Sequence, residues 1–144
     1  MDENFDDFLD ELQENILRDE IKSLPEGIVE HFTQPKNIGR MTDPDGAAIV
    51  RGQCGDTMEM YVVVEEGKIS NILFYTDGCG ITAACGSLTT ELAKGQAIND
   101  ALRISPADII EKFGDSLEGS FHCAILAVIT LHNALADYLL KNGM

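Results

Sequence analysis

Basic residues are scarce. Ten lysines and arginines stand against 25 aspartates and glutamates, for a formal net charge of −15. Nucleic-acid binding needs a basic face, so that class of partner is excluded. The charge favours solubility and partners with a basic surface. Long apolar runs are also missing. None approaches membrane-spanning length, so no membrane partner is expected. The opening Met1-Asp2-Glu3-Asn4 is acidic and lacks a charged-then-apolar leader pattern, and the cytoplasm is the expected compartment. No repeat and no low-complexity tract is visible. Cysteine is sparse, with four in 144 residues, and no two form a Cys-x-x-Cys pair. In a reducing compartment such thiols bind metal, react or pack, rather than pair as disulfides.

What is present fits one domain. The length is that of a single domain, and 44% of residues are hydrophobic, enough for a packed core without an obligatory metal staple. The acidity is uneven: residues 1–20 hold nine acidic side chains and one basic one, Arg18. In the same stretch Phe5, Phe8, Leu9, Leu12 and Ile16 fall on one helical stripe. Residues 1–24 read as an acidic amphipathic helix with a linker, and residues 25–144 as the main domain. Docking of that helix on its own domain is favoured over a role as a partner-docking arm.

The main domain starts with a short helix around Gly27–Thr33, ended before Pro35, and a loop follows to Gly46. Ala47–Arg51 reads as a strand. Met58–Glu65 and Lys68–Thr76 read as two more, joined by the hairpin signal Glu66-Gly67. The period then changes. Ile81, Ala84, Cys85, Leu88 and Leu92 form a helical stripe with Gly95 as its stop. A short turn follows at Ile98–Leu102. Ser105-Pro106-Ala107-Asp108 opens a further helix with a cap, a first-position proline and an acid. The last helix is expected over Ser120–Leu140. Strands first and helices after give an α+β class: a small antiparallel sheet of about three strands with helices on one face.

The cysteines divide by position. Cys54 lies in Gly52-Gln53-Cys54-Gly55-Asp56, a bendable turn with a carboxylate two residues behind the thiol. Cys79 sits where the hairpin ends and a helix begins. Cys123 follows His122, three residues after a plausible cap at Ser120. Helix N-termini favour anions and lower thiol pKa values, and the thiolate is the ligating and nucleophilic form. Cys85 lies inside an apolar stripe and is assigned to packing. The spacings of the other three, 25 and 44 residues, are unlike the tight pairs of structural zinc sites. Three thiolates with Asp56 or His122 as a weaker donor suit zinc, or iron with sulfide. A hard or exchangeable fourth donor points to a centre that is meant to leave.

Cys54-Gly55-Asp56, Gly78-Cys79-Gly80 and His122-Cys123, in this order, resemble the iron–sulfur cluster assembly scaffolds of the IscU/NifU N-terminal type. The resemblance covers roughly Gly27 to Tyr138. It includes His31-Phe32-Thr33-Gln34-Pro35-Lys36-Asn37-Ile38-Gly39, a His-Phe-x-x-Pro-x-Asn-x-Gly stretch. It implies an α+β sandwich and a non-enzymatic scaffold. Such a protein accepts sulfur from a cysteine desulfurase, takes iron, builds a labile [2Fe–2S] cluster and passes it to apo-proteins. It implies Cys54, Cys79 and Cys123 as ligands, Asp56 and His122 at the site, and Cys123 as first sulfur acceptor. Many relatives carry Leu-Pro-Pro-Val-Lys before His-Cys, read by a dedicated chaperone. Here Ser116-Leu117-Glu118-Gly119-Ser120 stands instead, so chaperone docking is not expected.

The same residues admit other readings. A zinc-binding sulfur-relay protein on the same ligands is the alternative. A cysteine enzyme pairing Cys123 with His122 is the weakest reading, because sequence neighbours on a helix point about 100° apart. His31 is expected to be a local structural residue and His132 a surface or satisfied core residue. Glu91 and Asp137 are read as helix-surface residues without a role.

Overall fold

The computed structural model describes residues 26–53, 55–117 and 119–142. The expected helix over residues 1–24 lies outside them, as does Cys54.

Alternation of large apolar and polar side chains makes the central hairpin. β2 (Thr57–Glu65) and β3 (Lys68–Thr76) are joined at Glu66 and Gly67, with φ of 54° and 77°. Positive φ at both positions is the turn geometry that matches strand twist. β1 (Gly46–Arg51) pairs antiparallel with the other side of β2, giving a sheet of order β1-β2-β3. Met58, Met60 and Val62 of β2 point inward and are fully buried. On the opposite face, in the row Ile49, Glu59, Tyr75, Ile49 is 68% exposed and Tyr75 is 39% exposed. The sheet is therefore covered on one face, as expected.

Five helices follow the expected positions: α1 (Glu26–Thr33), α2 (Gly80–Ala93), α3 (Ile98–Ala101), α4 (Pro106–Phe113) and α5 (Phe121–Lys141). A 3-10 turn, Gly114–Leu117, joins the last two. Gly95, with φ of 85°, stops α2. At the start of α4 the Ser105 N–H donates to Asp108 Oδ2 at 2.9 Å, half of a capping box. α5 crosses β1 and β2 and packs on α2. It comes so close that a Cβ at Gly46 would lie 2.4 Å from the Ala134 carbonyl oxygen. This helix qualifies the expectation that no apolar run nears spanning length. It is 21 residues and apolar, and half of its most apolar window is buried within the domain. That burial is the pattern of a core helix.

The His31–Gly39 stretch anchors α1 to α2 and to the sheet. His31 is buried, with Nδ1 on Ser87 Oγ and Nε2 3.1 Å from Glu91 Oε1. The Lys36 N–H also reaches Ser87 Oγ, at 2.8 Å. Asn37, in a left-handed conformation (φ 61°), donates through Nδ2 to Thr90 Oγ1 at 3.1 Å. Its carbonyl and the Gly39 N–H both bond the Phe74 backbone, extending the edge of β3. Three expectations change. Glu91 is no idle surface residue, since it holds His31 and, at 3.2 Å, Lys36. Asp137 accepts the Ala47 N–H at 2.9 Å and so ties α5 to β1. His132 is also not a satisfied core residue: its Nε2 is buried and has no partner among the described residues.

Phe74 is fully buried, and its ring fills the space that a Cβ at Gly86 would need, 2.7 Å away. It joins β3, α2 and, through its backbone, the His31–Gly39 stretch. Phe74→Ala is expected to cost about 3–5 kcal/mol of folding stability, measured by urea denaturation.

Candidate metal centre

Three chain segments converge where the hairpin ends. The Asp56 carbonyl accepts the Gly52 N–H at 2.7 Å, and Gly55 has φ of 92°, a turn favouring glycine. The Asp77 carboxylate accepts the Thr57 N–H at 2.8 Å, and Thr76 Oγ1 donates to the Thr57 carbonyl at 2.6 Å. These bonds hold Asp56 beside Gly78-Cys79, the entry to α2. Gly80 is glycine because the Phe32 ring of α1 packs on it; a Cβ there would lie 2.9 Å from the ring.

Cys79 occupies the position that opens α2, and its carbonyl accepts the Ala83 N–H at 3.0 Å. Cys123 lies in the first turn of α5, its N–H on the Ser120 carbonyl at 3.0 Å. Ser120 stands at the cap position but its side chain makes no cap bond. One residue unexpected from the sequence joins these groups. Thr82, fully buried, donates from Oγ1 to Asp56 Oδ2 at 2.8 Å. The same oxygen lies 3.3 Å from Cys123 Sγ and 3.6 Å from Cys79 Sγ.

The two thiols differ in character. Cys79 is exposed, whereas Cys123 is buried. Hydrogen bonding from Cys123, opposed by burial and helped by the Thr82 and Ile81 backbone N–H groups, pulls the Cys79 thiol down to about 4. Its bond to Cys79 and its own burial push Cys123 up. The pair thus favours the thiolate on exposed Cys79 over one on buried Cys123. Cys85 is fully buried, and burial, with the nearby Cys79 charge, pushes it up to about 12. That agrees with a packing role.

The structure brings together Asp56, Cys79 and Cys123 around Thr82. His122 is half-buried next to Cys123 and joins no hydrogen bond of this cluster among the described residues. Among those residues no three histidines, cysteines or acids lie close enough to hold one ion. The described donors are soft sulfur and one hard oxygen, the mixture that suits zinc or an iron–sulfur unit. A cleft of about 880 Å³ lies elsewhere, lined in part by Glu30, His31, Glu91, Asp108 and Glu111, and holds no cysteine.

The domain is α+β, with a thiol pair and a carboxylate gathered at two helix entries, and the comparisons give it a family. Residues 24–144 match the NifU-like N terminal domain. The chain is 38% identical over 117 residues to the iron-sulfur cluster assembly scaffold protein IscU 1 of Archaeoglobus fulgidus, covering 81% of this chain and 76% of that protein. It is 36% identical over 121 residues to IscU of Escherichia coli K12, covering 81% of this chain and 94% of that one. The fold matches a crystal structure of a nitrogen-fixing NifU-like protein (N-terminal) from Brucella abortus, with a TM-score of 0.67 at 16% identity over 81% of this chain and 94% of that one. The chain belongs to the NifU-like N-terminal domain family.

A thiol with its pKa near 4 is already thiolate at neutral pH and stays so as the pH falls towards that value. Alkylation of Cys79 by iodoacetamide should therefore slow little between pH 8 and pH 6. An ordinary thiol, with pKa about 8.5, slows roughly 100-fold over that range. Mass-spectrometric mapping should find Cys79 modified before Cys85 and Cys123.

Proposed function

We propose that this protein is a scaffold on which iron–sulfur clusters are assembled and from which they are passed on. The observation that carries this reading is the gathering of a thiolate, a thiol and a carboxylate at two helix entries, in a chain whose relatives are named as such scaffolds. Cys54, Cys79 and Cys123 hold the cluster, with Asp56 or His122 as the exchangeable donor. The cluster is cargo, a labile [2Fe–2S] unit assembled from iron and sulfur, and the protein is a carrier rather than an enzyme.

Sulfur arrives from a cysteine desulfurase as a persulfide. An acceptor thiolate attacks its terminal sulfur; the S–S bond breaks and the donor leaves as thiolate, with no net oxidation. Two electrons per sulfur, from an external reductant, then convert it to sulfide. We assign the acceptor role to Cys123. Its burial and protonation mean that it accepts sulfur only after the contacts to Thr82 and Cys79 open. In the arrangement described, Cys79 offers the reactive thiolate. Finished clusters pass to apo-proteins, where a carboxylate donor helps because it exchanges faster on iron than a thiolate does.

The test is reconstitution with iron, sulfide and thiol under anaerobic conditions. Cys54→Ser, Cys79→Ser and Cys123→Ser should each lose the visible charge-transfer bands. Cys85→Ala should keep them at some cost in stability, and Cys85→Ser should cost about 1–3 kcal/mol if its hydroxyl finds no partner. Loss of the bands in a folded Cys85 variant would move that residue into the site. A colourless wild type holding one tight zinc would support the zinc sulfur-relay reading.

The same reading makes Asp56 a release element. Asp56→Ala is expected to acquire a cluster and to lose it to a chelator more slowly than the wild type. Equal or faster loss would show that Asp56 does not speed release, whatever it adds to binding.

A further inference from the structure

Among the described residues Thr82 is the one group in contact with Asp56, Cys79 and Cys123 together, and its surroundings are built for that position. It is fully buried, yet its hydroxyl is not used to bond its own helix, as that of Thr130 is, on the Leu126 carbonyl at 2.7 Å. It turns out of α2 towards a residue 26 positions earlier. Gly78 shows that the pairing has a dedicated space. A Cβ there would lie 2.7 Å from Asp56 Oδ2 and 2.9 Å from the Thr82 Cβ. Gly78 is not among the positive-φ glycines, so it is the space, not the backbone, that requires glycine.

Counting protons gives the direction of the bonds. The Thr82 hydroxyl donates its single proton to Asp56 Oδ2. With that proton spent, the Thr82 oxygen lies 3.3 Å from Cys123 Sγ and 3.6 Å from Cys79 Sγ. The hydroxyl occupies Oδ2, and among the described residues no hydrogen bond reaches Oδ1.

We propose that Thr82 is the positioning residue of this metal centre: from beneath the site it holds the Asp56 carboxylate, through Oδ2, against the Cys79–Cys123 pair. The inference rests on the scaffold reading for its cargo, but not for its test. Carboxylates that ligate metals are themselves held by outer hydrogen bonds, and loss of such a partner costs typically 10- to 100-fold in metal affinity. Thr82 acts through Asp56, so its effect must vanish when the carboxylate is removed.

The probe is Co2+ alone, added anaerobically and followed by its thiolate charge-transfer absorption, with circular dichroism to check folding. Thr82→Val and Thr82→Ala should weaken Co2+ binding about 10- to 100-fold. Thr82→Ser, which keeps the hydroxyl, should stay within about threefold of wild type by the same argument. In the Asp56→Ala background, Thr82→Val should add little, which makes a double-mutant cycle the deciding comparison. Wild-type affinity in Thr82→Val would overturn the proposal. So would an equal loss in Thr82→Ser, or an undiminished effect without Asp56. Failure of both hydroxyl-free variants to fold would assign Thr82 to the core instead. A wild type that binds Co2+ with this pattern but builds no cluster would sink the scaffold reading and leave Thr82's role standing. A wild type that binds no Co2+ would overturn both the site and the proposal.

Discussion

The 2.8 Å hydrogen bond between the Thr82 hydroxyl and the Asp56 carboxylate joins the two halves of the domain at the point where its chemistry resides. Asp56 belongs to the hairpin side, at the entry to β2. Thr82 belongs to the helical side, in the first turn of α2. The rest of the structure places these two turns. The antiparallel sheet sets where β2 begins. Phe74 and Gly86 press α2 onto the sheet. The His31–Gly39 stretch holds α2 from its other side through Ser87, Thr90 and Glu91. α5 completes the arrangement by presenting Cys123 from the far end of the chain.

The electrostatics follow from that geometry. Two sulfurs and a carboxylate in one place would carry up to three negative charges. Like charges so close cannot all ionise at ordinary pH without compensation. Here the helix N–H groups at Cys79 support one thiolate, and Cys123 keeps its proton and shares it. On the proposed reading, a divalent or iron-containing cargo would remove the conflict by replacing the proton as counter-charge. The net charge of −15 does not obstruct this. It leaves the site in a field that attracts metal cations and basic partner surfaces.

Much of the fold was legible because its signals are local. Glu66-Gly67 between two β-rich runs marks a hairpin, Gly95 marks a helix end, and Ser105-Pro106 with Asp108 marks a helix start. Cys85 was readable as core because four apolar neighbours share its stripe. Thr82 was not legible. A threonine inside a helical stripe reads as polar filler, and only its place three residues after Cys79 hinted at a shared face. The roles of Glu91 and Asp137 were hidden for the same reason: their partners lie 60 and 90 positions away. Asp56, Cys79 and Cys123 were marked by their turns and by the family resemblance, yet their division into thiolate and thiol depends on burial. Cys54 and residues 1–24 lie outside the described residues.

The central claim is that this site holds a cluster in order to give it away. The direct measurement is anaerobic transfer from the loaded protein to an apo-ferredoxin in the presence of an iron chelator. The ferredoxin signal is followed by circular dichroism in the visible region. The account predicts that the ferredoxin acquires its cluster at a rate the chelator barely changes, while this protein loses its own bands in step. Retention of the cluster by this protein, or capture of its iron by the chelator with no ferredoxin signal, would contradict the account.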